Sequence, residues 1–161
     1  MKTINLNGKY GKGKYALVDD TDFERINKFN WHVNDQGYAV RSKWFGDTKK
    51  KIRMHREVLG VSPFSKEIVD HINADKLDNQ RMNLRKCSQC QNLANMMMRK
   101  RNKSGYKGVS WNKASRKWVV QLKRDKKYYY LGVFNDKRRA VVAYDKFVLS
   151  YDGVFARTNI L

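Results

Sequence analysis

Asp70 and His71 stand side by side in the run Val69-Asp70-His71. A carboxylate offers hard oxygen to a divalent cation. An imidazole exchanges a proton near neutral pH. Amides follow: Asn83 ahead of Leu84-Arg85, then Asn92 and Asn95 within Gln91 to Asn95. Asn83 is a candidate to orient the imidazole through its side-chain carbonyl, and Asn92 to give the cation a second oxygen. These residue types suit metal-assisted hydrolysis of a phosphodiester.

The elements that must position them are short. Ile68 to Asp70 reads as an apolar strand that delivers the Asp-His pair to its end, and Asn83 to Arg85 as the returning strand. Between them, Asn73 to Arg81 is polar and turn-rich. Ser88 is an expected N-cap for a helix to about Met98, with Asn92 and Asn95 on one face.

The runs MHREVLG (54–60), VDHINADKLDNQRMNLR (69–85) and CSQCQNLAN (87–95) resemble the HNH endonucleases, in particular the phage and intron homing branch. The blocks share that family's order and spacing. Ala74 stands where the family usually has Gly. The resemblance implies a ββα-metal fold gripping one metal ion, Mg²⁺ or in its place Mn²⁺, through Asp70 and Asn92. It implies His71 as the general base, steadied by Asn83, and products with 5′-phosphate and 3′-hydroxyl ends. The expected function is site-selective nicking of double-stranded DNA by a monomer. A phage or mobile-element gene acting in a bacterial cytoplasm is the implied setting. The alternatives are a DNA-binding regulator with an inactive core and a non-specific HNH nuclease.

The charge agrees with a polyanionic partner: 161 residues carry a net +20. Residues 96–161 hold 17 basic and 4 acidic side chains, and residues 1–95 hold 18 and 11. No apolar run is long enough to span a membrane, and Met1 to Asn5 does not read as a signal peptide. Two cysteines suit a reducing setting. Cys87-Ser88-Gln89-Cys90 lacks the second pair that structural zinc takes, so zinc is not expected and free thiols are.

Residues 1–53 read as a β-rich module. Lys14 to Val18 is a strand, and Thr21-Asp22-Phe23-Glu24 a capping box opening a short helix. Trp31 to Val33 and Tyr38 to Ser42 form a hairpin. Lys51 to Met54 is a further strand, leading into a short helix over His55 to Leu59. Arg41, Lys43 and Lys49 to Lys51, Lys50 among them, either track a DNA backbone or make an ordinary solvated hairpin. His55 either contacts a phosphate or supports the active site, or is a structural histidine capping a helix. Arg85 and Asn95 of the core (54–98), with Arg99 and Arg101 of a basic linker (99–104), complete the expected DNA contacts of this part.

From 105 to 161 the pattern changes. Gly108 to Trp111, Lys117 to Lys123 and Lys127 to Phe134 read as three antiparallel strands, followed by a helix from Lys137 to Ser150 capped by Asp136. Period two puts Val120 and Leu122 on one face, with Val119, Gln121 and Lys123 on the other. It likewise groups Tyr129, Leu131 and Val133 against Tyr128 and Tyr130. The helix stripe Ala140, Ala143 or Tyr144, Phe147 and Val148, continuing to Tyr151, suits the apolar face. The bare face suits a DNA groove. This segment resembles an APETALA2-type DNA-binding domain through Ser104 to Val109, Lys117-Trp118, Tyr130 to Phe134, Ala140 to Asp145 and Asn159. The resemblance implies DNA contacts at Lys107, Ser110, Trp118, Gln121, Lys123, Tyr128 and Tyr130. The expected fold class is therefore α+β: a β-rich module with a ββα-metal core, then a three-stranded sheet with one helix.

Overall fold

The computed structural model describes residues 1–98 and 101–160. Arg99, one of the expected DNA contacts, lies outside them. The chain is mixed α/β and divides into two units, Met1–Cys87 and Ser88–Leu161. Among the described residues no helix is long and apolar enough to cross a membrane.

In the first unit β1 (Lys2–Asn5) pairs antiparallel with β2 (Tyr15–Val18), and α1 spans Asp20–Ile26. A three-stranded sheet follows in the order β3 (His32–Val33), β4 (Ala39–Phe45), β5 (Thr48–Arg53). The short α2 (Met54–Val58) leads to the antiparallel pair β6 (Ile68–His71) and β7 (Leu84–Cys87).

One apolar cluster joins these pieces. Ile4, Val18, Ile26, Trp31, Met54 and Val58 pack in the same core as Val69 of β6 and Leu84 of β7. Burying a side chain of this size is worth about 1.5–3 kcal/mol. This shared core explains why the structure has no boundary at residue 53, where the sequence suggested one. Polar ties add to it. The buried Asp22 carboxylate takes two bonds from Arg81 (2.7 and 2.9 Å) and one from Arg25 (2.6 Å). Both guanidinium groups, the Arg81 bond foremost, hold Asp22 below the usual carboxylate range. The expected capping box at Thr21 does not form: the N-cap is Asp19, two residues earlier, and its carboxylate accepts instead from the Arg81 backbone N–H at 2.7 Å.

The second unit opens with α3 (Gln89–Asn95), where Ser88 and Gln91 form a full capping box. The helix stops at Asn95, three residues short of expectation, because Met96 turns extended. It joins this unit because Lys107 Nζ donates to Ala94 O at 2.8 Å and Arg157 donates to Asn95 Oδ1 at 3.4 Å. The sheet runs β10 (Lys127–Phe134), β9 (Lys117–Arg124), β8 (Val109–Asn112), covered by α4 (Lys137–Asp152). Asp136 caps α4 through the Arg139 N–H at 2.8 Å. Val120, Ala140, Val141, Tyr144 and Val148 make the core. Gly108 has φ +69°, and a Cβ there would fall 2.2 Å from the Tyr144 ring, so only glycine fits.

Strict alternation fails in β10. A register shift between Tyr130 and Gly132 turns the strand, and Val133 emerges 46 % exposed beside Val119. An extra residue on one strand of a pair has this effect.

Candidate active site

Adjacent residues of a strand face opposite ways, so β6 sends Asp70 and His71 to different sides of one backbone. Asp70 lies opposite Arg85 in the β6–β7 register. Arg85 donates to Asp70 Oδ2 through Nε at 3.3 Å and Nη2 at 3.1 Å. Both side chains are mostly buried. The expected phosphate contact by Arg85 is therefore corrected: in this structure its guanidinium is a counter-charge to the carboxylate.

His71 is buried and faces Asn79, whose Oδ1 lies 3.4 Å from the ring Nε2. Asn79 Nδ2 donates to Leu77 O at 3.0 Å, which turns Oδ1 toward the imidazole. The loop carrying Asn79 is pinned to β2. Leu17 N–H donates to Leu77 O at 2.8 Å, and Asn79 N–H donates to Leu17 O at 2.9 Å. With Nε2–H directed at an amide oxygen, the neutral ring carries its lone pair on Nδ1. Burial lowers the His71 pKa, opposed by the Asn79 bond and by Asp70, Asp75 and Asp78, so the ring is neutral at neutral pH.

Asn83 has a different place from the one expected. Its Oδ1 accepts from the Asn73 N–H at 2.9 Å, and its Nδ2 donates to Asn73 Oδ1 (2.9 Å) and Asp78 O (2.8 Å). Its amide is thus committed to bracing the loop between the strands, and Asn79 does the orienting. Asp78 tightens the same loop by accepting from Asn73 Nδ2 at 2.8 Å. Ala74 adopts φ +66° in this loop, the left-handed region that glycine fits without strain.

His55 packs edge-on to His71, with ring centroids 4.8 Å apart, and Tyr38 lies 5.3 Å from His55 and 6.0 Å from His71. His55 is 2 % exposed, and burial first, then the nearby His71, Arg53 and Arg56, lowers its pKa to about 3. Of the readings open for His55, its burial against the His71 ring fits support of the site rather than a phosphate contact: it is a neutral wall beside that ring. Tyr38 and Asn79 were missed in the sequence. Asn79 had a signal, since it falls in the run 69–85.

Arg41 is also corrected. It is 8 % exposed, paired with Glu57 at 2.9 and 2.7 Å and stacked on Phe29. Lys50 is half-buried and lies over the Phe64 ring.

In the second unit Asn92 is half-buried on α3 and Asn95 is buried, held by Arg157. Arg101 is exposed. Lys107 is half-buried, and burial lowers its pKa to about 8. Trp118 faces α4 with Lys137 over its ring, because its position in β9 alternates with the exposed residues. In this structure Asn95 is held by Arg157, Lys107 Nζ by Ala94 O, and Trp118 packs toward α4, so all three expected DNA contacts are engaged within the protein. Ser110, Gln121, Lys123, Tyr128 and Tyr130 are exposed, with Lys123 over the Tyr128 ring.

Both cysteines are free. Among the described residues no three His, Cys, Asp or Glu side chains converge to hold a metal ion. Asp70 fits a hard divalent cation of the kind bound by one or two carboxylates and completed by water and substrate phosphate.

The β6–β7 pair carries Asp70 and the buried, oriented His71 one residue apart. Residues 50–94, the stretch built around that pair, match the family model described as HNH endonuclease. The chain is also 34 % identical over 107 residues to a protein of Acanthamoeba polyphaga mimivirus described as an uncharacterized HNH endonuclease. That alignment covers 63 % of this chain and 54 % of the relative, so the chain spans about half the length of the curated relative it matches.

Proposed function

We propose that the chain is a divalent-metal-dependent endonuclease that nicks double-stranded DNA at selected sites. The observation that carries this reading is the buried His71, one residue from Asp70, with its Nε2 turned to Asn79 Oδ1 at 3.4 Å. The family match over residues 50–94 supports it.

His71 Nδ1 accepts the proton of the attacking water, and Asn79 holds the ring in that tautomer. The lowered His71 pKa keeps the base unprotonated at neutral pH. Asp70 holds the cation, Mg²⁺ or Mn²⁺; Asn92 as its second protein ligand rests on the resemblance to the homing branch. When bound, a divalent cation neutralises charge at the phosphate and at the leaving 3′-oxygen. Asn83 keeps the loop between the strands in shape, and so keeps Asn79 in reach of the ring.

Selectivity falls to the C-terminal sheet. Its exposed face presents Gln121 and Lys123 on β9 beside Tyr128 and Tyr130 on β10. Amide and ammonium groups of this kind meet base edges in a major groove. The resemblance to APETALA2-type domains supports this use of the sheet. One active site per chain suits a monomer that makes one nick per visit. The homing-branch resemblance and the viral relative support a phage or mobile-element setting.

The test is to map the ends made on supercoiled plasmid and phage DNA. Discrete nicks that DNA ligase reseals are expected, since they carry 5′-phosphate and 3′-hydroxyl groups. Nicks that resist ligase, or a smear without preferred positions, contradict the reading.

A further inference from the structure

The hairpin of β4 and β5 carries charge that no acidic side chain among the described residues answers. Residues 43–53 contain Lys43, Lys49, Lys50, Lys51 and Arg53 against the single acid Asp47. Among the described residues none of these five cations makes an ion pair. Lys43 and Lys50 stand directly opposite each other in the ladder. Like charges so placed destabilise an antiparallel pair, so this arrangement is costly to the free protein.

The solvent side is ordered. Lys49, Lys51 and Arg53 are exposed at alternate positions of β5. They share one face and recur about every 6.7 Å. Trp44, opposite Lys49, is 62 % exposed near the hairpin tip. At the other end Arg53 and Lys76 both lie over the Tyr38 ring, at 4.9 and 4.8 Å. Tyr38 in turn packs beside His71. The cationic row thus runs from the tip of the hairpin to the flank of the candidate base.

We propose that this face of β5 is a track for the phosphates of duplex DNA, which seats the strand leading to His71, with Trp44 in apolar contact at its far end. The identity of the polyanion rests on the endonuclease reading; the existence of the track rests on the unpaired row itself. Each phosphate neutralised by a lysine releases counterions, and binding then weakens steeply with salt.

The test measures binding of the full chain to a fluorescent DNA duplex in EDTA, between about 50 and 200 mM salt. Lys49→Gln with Lys51→Gln should flatten the logarithmic salt slope by about 2, at roughly 0.9 per lost phosphate contact. A control, Lys12→Gln with Lys28→Gln, removes equal charge from exposed positions off the track and should keep the slope. Trp44→Phe should remove much of the change in tryptophan emission on binding. An unchanged slope in the track variant overturns the proposal, and so does an equal loss in the control. Equal wild-type affinity for single-stranded RNA overturns the assignment of the occupant as duplex DNA. If the track variant keeps the wild-type slope while the wild type still cuts, the track falls and the nuclease reading stands. If the slope falls as expected but the wild type cuts nothing with Mg²⁺, the track stands and the nuclease reading falls.

Discussion

Asn79 Oδ1 accepts from the Nε2 side of His71 at 3.4 Å, with both side chains buried and the Asn79 backbone tied to Leu17 of β2. The N-terminal strands therefore do more than flank the Asp-His pair: they hold the group that aims the imidazole. Asn79→Leu should cut the nicking rate about 10- to 100-fold with DNA affinity within about twofold, the scale of losing orientation of a general base. Single-turnover cleavage alongside a binding titration checks this. An unchanged rate would mean the ring is held by other neighbours.

His71 itself should cost more. His71→Ala should lower the rate by about 10²–10⁴-fold and leave binding intact. The pH profile carries a sign. Burial lowers the His71 pKa below its ordinary 6.5, so the base stays unprotonated further into acid. The rate should hold level as pH falls from 8 through about 6.5 and drop only below it. A profile whose acidic limb lies above 6.5 contradicts a buried, neutral ring.

His55 makes a stability prediction. Its pKa is about 3 in the folded state and 6.5 when the ring is free. The unfolded chain therefore binds the proton first, and stability is lost as pH falls through 6.5 toward 3. The slope is at most about 1.4 kcal/mol per pH unit from this group. Urea unfolding at neutral and mildly acidic pH should show it, and His55→Phe should flatten it. Equal pH dependence in the variant would assign the loss to other groups.

Ala74 carries φ +66° between His71 and Asn79. A left-handed backbone costs a residue with Cβ about 1–2 kcal/mol. Ala74→Gly relieves that strain but admits more unfolded conformers. The net expectation is a gain of about 0.5–1 kcal/mol in unfolding free energy. A loss of stability would show that the surrounding bonds, not the backbone angle, set the cost.

Much of this site is legible in sequence because its parts are local. Val69-Asp70-His71 alternates as a strand, Ser88 and Gln91 sit at capping-box spacing, and Val120 and Leu122 alternate with Gln121 and Lys123. What escapes is set by partners far along the chain. Asn79 meets His71 only because β2 fixes the loop from 62 residues away at Leu17. Arg41 is spent on Glu57, and Arg85 on Asp70 across a strand register, so two cations that suited phosphate are counter-charges instead. Trp118 and Val133 depart from expectation for different reasons: family likeness sets Trp118 against its own alternation, and the register shift after Tyr130 breaks the alternation at Val133.

The most direct test of the account is cleavage of supercoiled plasmid by the wild type and by Asp70→Ala, each with Mg²⁺ and with EDTA. The account predicts discrete nicks from the wild type with Mg²⁺ alone, and intact plasmid in the other three reactions while DNA binding persists. Nicking that survives in Asp70→Ala, or in EDTA, would contradict a metal-dependent site built on Asp70.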